Sequence, residues 1–394
     1  MKVKKLQLNI DDEVWLKNPD LRSLMTILNQ DSGHARIVGG AVRDALLNIF
    51  RKQKRKIGDI DIASTLSPQE NISLLEKAGI TVVPTGIKHG TITVIINKKP
   101  FEITTLRRDI STDGRHAEVE YTKGWNEDAK RRDFTINALY LDIDGSIYDP
   151  LDGLKDIKSA KVRFIGNANK RIEEDALRIL RFFRFSSEIE VGAIDEQGML
   201  ACVELKEMIN GLSGERINQE LKKTLLSKRA SQIIPLLATI GLLRVILPEY
   251  DGYDNYKKYV KREKKHKLKD FMGRLSSLLP RNEKIIIQVS KRLKLSNKQR
   301  DQLTAFSREY KSHDLRMKTL RRVIYQYGRK TVIHNLLRLG TLDEKALNYI
   351  NDYVVPELPV SGKDLIKQGW SEGTEMGAEL KRIEQQWINS DFTV

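Results

Sequence analysis

The run from Arg36 to Asp61 constrains this chain more than any other stretch. Arg36-Ile37-Val38 leads into Gly39-Gly40, Ala41-Val42-Arg43-Asp44 follows, and after a basic insert comes Asp59-Ile60-Asp61. The pattern predicts a short apolar strand over 35–38, a glycine turn, and a helix starting near Ala41. Glycines let backbone N–H groups approach an anion because no Cβ intervenes, and a helix N-terminus favours negative charge. Arg43 and Asp44 fall in the first turn of that helix. Asp59-Ile60-Asp61-Ile62 reads as a strand whose alternation sends both carboxylates to one face. Two carboxylates so placed can share Mg²⁺ with substrate phosphates. A Gly-Gly turn or an Asp-x-Asp is common by itself. Joined in one strand–turn–helix–strand unit, they point to phosphoryl or nucleotidyl transfer.

Charge narrows the partner. Lys and Arg outnumber Asp and Glu by 69 to 53, a net charge of +16, which suits a polyanion and first of all a nucleic acid. The 394 residues leave room for two to four compact units. The single cysteine, Cys202, excludes a disulfide framework and a Cys-rich zinc site, and sets the expectation of a reducing cytoplasm. No window approaches the ~20 apolar residues of a membrane span. The opening Met-Lys-Val-Lys-Lys-Leu has no signal-peptide character.

A helix is expected near Leu21–Leu28 and a turn over Asp31–Gly33. The insert Arg51-Lys52-Gln53-Lys54-Arg55-Lys56 reads equally as a solvated loop or a contact to RNA phosphate. Ser67-Pro68-Gln69-Glu70 starts a helix that Gly79 ends. Strands of a mixed sheet follow near 81–83, 90–96 and 101–106, and Glu102 falls where a third carboxylate could join the Asp pair. The polar segment from Arg107 to His116 reads as a mobile loop. Ala129–Leu139 reads as a helix, with Arg131 and Arg132 near its start opposing the dipole, a placement that would favour a bound triphosphate. A short hairpin over Asp144-Gly145 and a boundary at 149–153 close this half.

From Val162 the chain turns helical. Asp175, Arg178 and Arg181 step by three and Arg184 continues the row, so one helix would carry them on one face. Such a face could read the Watson–Crick edge of C or A: Asp accepts from an exocyclic amine, and Arg donates to a ring nitrogen or carbonyl oxygen. Ser213 is an N-cap, an apolar helix pair surrounds Gly241, and residues 257–269 are strongly basic, which suits phosphate contact along an RNA arm.

In this combination and order the motifs resemble class II tRNA nucleotidyltransferases, the CCA-adding enzymes of the polymerase β superfamily. Gly39–Asp44 with Asp59 and Asp61 is similar to their first catalytic motif, Arg131–Ala138 to their ribose- and triphosphate-contacting motif, and Glu174-Asp175 with Arg178 to their base-templating motif. The resemblance covers nearly the whole chain. It implies an α+β catalytic head, a small mixed sheet with helices, followed by an all-α neck, body and tail. The ranges are an N-terminal extension at 1–30, head at 31–150, neck at 151–225, RNA-binding body at 226–310 and tRNA-binding tail at 311–394. It implies catalysis by Asp59 and Asp61 with Mg²⁺ on both, and Glu102 stays the candidate third catalytic carboxylate from the strand reading. It implies nucleotide binding by Gly39, Gly40, Arg43, Arg132, Asp133, Asn137, Glu174, Asp175, Arg178, Arg181 and Arg184. CTP, ATP and tRNA are the implied substrates, with no membrane and no obligate protein partner. The Arg107–His116 segment resembles the loop that full CCA enzymes need for switching to ATP. The alternatives are an A-adding-only enzyme, a poly(A) polymerase, against which Gly86–Thr91 resembles the CCA branch, and a catalytically silent RNA-binding protein. His313-Asp314 is a lone dipeptide without the pairing of a phosphohydrolase site.

Overall fold

The computed structural model describes residues 7–30, 33–112, 117–189, 194–308 and 317–393. The expected turn at Asp31, the stretch 113–116 and His313-Asp314 lie outside them. The chain divides into two compact units: one runs to Leu212 and adds Ser227–Arg229, and the other comprises Ser213–Leu226 and Ala230 onward.

The described residues of the first unit form nine strands: β1 (Ala35–Val38), β2 (Asp61–Ser64), β3 (Val82–Gly86), β4 (Thr91–Ile96), β5 (Lys99–Thr105), β6 (Arg107–Thr112), β7 (Ala117–Tyr121), β8 (Tyr140–Leu141) and β9 (Ile147–Tyr148). Seven form a mixed sheet in the order β3-β4-β5-β2-β1-β8-β9, and β6 and β7 form a separate ribbon. Only the β2–β5 pair is parallel in that sheet. The register sets the chemistry, because Asp61 lies beside Val38 on one side and Glu102 on the other. The glycine turn therefore opens at the end of β1, next to Asp61. The Gly40–Arg51 helix leaves that turn and buries Ala41, Val42, Ala45 and Leu46 at helical spacing. Further along, Ser67 and Glu70 close a capping box on the Pro68–Lys77 helix.

Four expectations are corrected. Asp59 precedes the strand, which begins at Asp61, and it is exposed. The described part of the 107–116 segment is one arm of the β6–β7 ribbon, with Arg108 donating to Glu120 at 2.7 Å. The Ala129–Leu139 helix is instead Trp125–Arg131, a break, and a 3₁₀ turn over Thr135–Asn137. Arg131 and Arg132 thus stand at a helix C-terminus, where cations complement the dipole. Finally, the helix expected to carry Asp175 breaks there: Ala168–Glu174 ends, Asp175 is extended (φ −155°, ψ 104°), and Leu177–Glu188 begins anew. An Asp stands at both breaks. The carboxylate of Asp133 accepts from the Phe134 N–H at 2.9 Å, and that of Asp175 from the Leu177 N–H at 3.0 Å. Such local bonds compete with the helix.

The second unit is helical among its described residues. It packs Tyr259, Leu320, Ile324, Val332, Leu336 and Ile350 into one core, and it also holds a buried Glu263–Arg274 ion pair at 2.6 Å. In the basic 257–269 stretch the lysines are exposed, whereas Arg262 donates to the carbonyls of Leu337 and Arg338 at 2.9 and 2.6 Å and caps a helix end. No helix among the described residues is long and apolar enough to cross a membrane.

Gly153 packs against the Thr135–Asn137 turn so closely that a Cβ there would lie 2.4 Å from the Thr135 carbonyl oxygen. Gly153→Ala should therefore lower stability by about 1–3 kcal/mol, the usual cost of overpacking. A urea titration reads it as a lower midpoint at unchanged slope.

Candidate active site

A cavity of about 300 Å³ opens in the first unit, walled by Gly39, Gly40, Arg43, Asp61, Arg132, Asp133, Asn137, Asp175, Arg178, Arg181 and Phe185. All of these except Phe185 are site residues of the sequence reading. Their convergence follows from the two Asp-centred breaks. The first turns Arg132, Asp133 and Asn137 toward the end of β1; the second brings Asp175 to the head of the Leu177–Glu188 helix. Gly39 sits at φ +77°, and a Cβ there would lie 3.4 Å from the Asp61 carboxylate. Only glycine keeps this turn both unstrained and open.

Each arginine on the wall is fixed by an acid. Arg132 donates to Asp128 at 2.9 and 3.1 Å, and the Tyr140 hydroxyl donates to the same carboxylate at 2.7 Å. Arg181 pairs with Asp133 at 2.5 Å. Asp133 also accepts from the Asn137 amide at 3.0 Å, whose oxygen accepts from Arg43 at 2.8 Å. Arg178 donates to Glu174 at 2.5 Å and to the Arg171 carbonyl at 2.7 Å. Arg43 donates to Asp44 at 3.0 Å.

Burial works to raise the Asp128 carboxyl, but the charges of Arg132 and Arg131 outweigh it and hold that group well below the usual carboxylate range. Burial likewise opposes ionisation of Asp133 and Glu174, and their arginine partners again win. Asp61 differs. Burial, with Glu102 and Asp59 adding repulsion and Arg132 only partly opposing, pushes it up to about 6. A carboxylate that its neighbours make reluctant to ionise is one that a cation would relieve. Asp61 therefore has the chemistry that suits a divalent metal, and Glu102 and Asp59 are the other acids whose charge it feels. Among the described residues no group of three His, Cys, Asp or Glu could hold an ion. Two carboxylates completed by substrate oxygens and water is how Mg²⁺ is commonly bound.

Four residues of the sequence reading do not line the cavity. Asp59 stands before the strand, and Glu102 lies on the next strand. Glu174 stands behind Arg178. Arg184 is buried, its guanidinium 3.7 Å from the Phe185 ring centre and its Nη1 3.1 Å from Glu188. Sequence reasoning missed Asp128, Tyr140 and Phe185. Asp128 carried a readable signal, an acid three and four residues before Arg131 and Arg132. Phe185, under the guanidiniums of Arg43, Arg181 and Arg184, reads in sequence as one more core aromatic.

Comparison with known proteins agrees with this geometry. Residues 35–163 match the poly A polymerase head domain family, and residues 193–253 match a family described as the probable RNA and SrmB-binding site of polymerase A. The chain is 35% identical over 398 residues to CCA tRNA nucleotidyltransferase 1, mitochondrial, of Danio rerio, covering 98% of this chain and 91% of the relative. The Homo sapiens protein of the same name is 36% identical, over 94% of this chain and 87% of its own. This chain belongs to the CCA tRNA nucleotidyltransferase family. The crystal structure of the Bacillus stearothermophilus CCA-adding enzyme in complex with CTP superposes with a TM-score of 0.72 at 27% identity, covering 95% of this chain and 94% of that one. That likeness carries the fold, a mixed-sheet head followed by helices, along the chain. As a nucleotidyltransferase of this family the chain is an enzyme, of a class that uses a divalent metal.

Asp128→Asn should cost about 3 kcal/mol, because it leaves two guanidiniums around a neutral amide in a largely buried site. The native carboxyl is depressed, so its contribution is complete above the unfolded value near 3.9 and fades as pH falls below it. The stability gap between the variant and the parent should thus be widest at neutral pH and narrow in acid. A gap that stays constant from pH 7 to 3 contradicts the pairing.

Proposed function

We propose that this enzyme adds CCA to the 3′ ends of tRNA from CTP and ATP, without a nucleic-acid template, by Mg²⁺-dependent nucleotidyl transfer. The observation that carries the reading is the placement of Asp61 beside the Gly39-Gly40 turn, on the wall of a cavity where four guanidiniums converge. Asp59 and Asp61 would hold the metal. When bound, it supplies charge for a 3′-hydroxyl nucleophile and for the leaving pyrophosphate. Gly40, Arg43, Arg132 and Arg181 bind and orient the triphosphate, and their charge offsets that which develops on the leaving group. Glu102 keeps negative potential at Asp61 and so favours a cation there. Asp175 accepts from the exocyclic amine of C or A, and Arg178, already fixed by Glu174, donates to the ring edge. Both are planar, charged groups on rigid backbone, so the protein selects the base in place of a template strand. The exposed lysines between Lys257 and Lys269 would contact tRNA phosphates. A reducing, cytoplasmic compartment suits a chain with one, buried cysteine.

Three labelled tRNAs test the reading: one ending at the discriminator base, one at CC, one at full CCA. CC addition followed by one A and a stop is the expected result. A alone on the CC-ended tRNA would make the enzyme A-adding only, and a long A tail on any RNA would make it a poly(A) polymerase. Asp59→Ala with Asp61→Ala should abolish incorporation while leaving tRNA binding in place. Asp175→Ala should raise misincorporation of GTP and UTP more than it raises the KM for CTP, and equal loss for all four nucleotides would overturn the base-reading role.

A further inference from the structure

We propose that Arg55, in the basic insert, is a positioning residue for the nucleotide site, the joint that sets both Arg43 and Arg184. The insert is not a solvated loop at this point. The Arg55 N–H donates to the Asn48 side-chain oxygen at 2.7 Å, and the Asn48 amide returns a bond to the Arg55 carbonyl at 2.9 Å. Gln53 is buried, and its side-chain oxygen accepts from Arg55 at 3.4 Å. The backbone is thus pinned, and only 16% of the side chain is exposed.

The guanidinium meets two acids. Its Nε is 2.8 Å from Asp44 Oδ1, and its Nη2 is 3.5 Å from Glu188 Oε2. Its Nη1 also donates to the Glu188 backbone carbonyl at 3.0 Å, which caps the last residue of the Leu177–Glu188 helix. The two acids hold Arg43 of the cavity wall and Arg184, which is buried beside it on Phe185. Asp44 Oδ1 accepts from Arg43 Nε at 3.0 Å, and Glu188 Oε1 accepts from Arg184 Nη1 at 3.1 Å. One guanidinium therefore ties the first turn of the helix that follows the glycine turn to the last turn of the base-reading helix. Arg43 and Arg184 then meet again on a single ring, at 4.8 and 3.7 Å from the Phe185 centre. Without Arg55 each acid keeps one partner and gains freedom to turn, and the arginine it holds turns with it. A bidentate or stacked guanidinium cannot tolerate that and still meet a fixed ligand.

The inference rests on the reading of Arg43 as a nucleotide contact, with the buried Arg184 packed beside it on Phe185, so both are tested together. CCA addition is measured with the whole chain and CTP or ATP for Arg55→Met, Arg55→Lys, Arg43→Met, Arg184→Met and the control Arg51→Met, whose parent residue donates to the distant Lys158 carbonyl. Arg55→Met should raise the nucleotide KM about tenfold, the scale of one lost charge-assisted contact, with a much smaller change in kcat. Arg55→Lys, which can reach one acid but not bridge two, should fall between it and the parent, and Arg51→Met should match the parent. Combined with Asp44→Asn, Arg55→Met should have little further effect, since both cut one network. A lowered melting temperature with unchanged KM would make Arg55 a structural staple and overturn the inference. If Arg55→Met does not fold, KM of Arg55→Lys decides by the same criterion. Raised KM in Arg43→Met or Arg184→Met with none in the Arg55 variants removes the inference alone. Unchanged KM in Arg43→Met and Arg184→Met together removes the contact assignment and the inference with it.

Discussion

Crowding of like charge is the constraint on which the first unit depends. At an effective dielectric of about 20, two guanidiniums roughly 6 Å apart repel by about 3 kcal/mol, and four on one cavity wall, with Arg184 close by on the Phe185 ring, would not stay together unpaired. The fold answers with one acid for each arginine: Asp44 for Arg43, Asp128 for Arg132, Glu174 for Arg178, Asp133 for Arg181 and Glu188 for Arg184. The pairs do more than neutralise. A free arginine side chain loses up to about 2 kcal/mol of rotamer entropy when it is fixed. Here that loss falls on folding, so a ligand meets guanidiniums already in place.

The carboxylates at β2 follow the opposite rule. Asp61 shares the field of Arg132 with Asp128 and feels the charges of Glu102 and Asp59. Where the arginine side of the cavity is balanced internally, the Asp61 side is left short of positive charge. That asymmetry separates two tasks in one small volume: a rigid, charge-compensated wall for triphosphate and base, and an uncompensated acidic corner that suits a cation.

Much of this was legible in the chain. The strand, the glycine turn, the helix after it and the strands bearing Asp61 and Glu102 follow from alternation and glycine placement. The helix breaks at Arg132 and Asp175 did not show, because the periodicity of the surrounding residues continues across them. The competing signal, an Asp able to bond the N–H one or two residues on, lies in the same residues and is outvoted by period counting. The error reversed an argument. Arg131 and Arg132 stand where a helix dipole welcomes them, so they owe nothing to a bound anion; the case for an anion comes from Arg132 on the cavity wall. The acids that hold the arginines were legible only where they are near in sequence. Asp128 is four residues from Arg132, whereas Asp133 and Arg181 meet across 48 residues and only the tertiary fold joins them.

The insert shows why a charge run resists reading from sequence. Arg51, Lys52, Lys54, Arg55 and Lys56 are interchangeable on a scale of charge, yet only Arg55 finds two carboxylates. What singles it out is Asn48, seven residues earlier, which bonds both the N–H and the carbonyl of Arg55 and so decides which side chain of the run turns inward. A lysine there would offer one point charge where the geometry calls for a fork able to meet Asp44 with one nitrogen and Glu188 with two others. Asp44 and Glu188 lie 144 positions apart and come from opposite sides of the cavity's sequence motifs. A residue that joins them has reason to be arginine even though it never reaches the cavity wall.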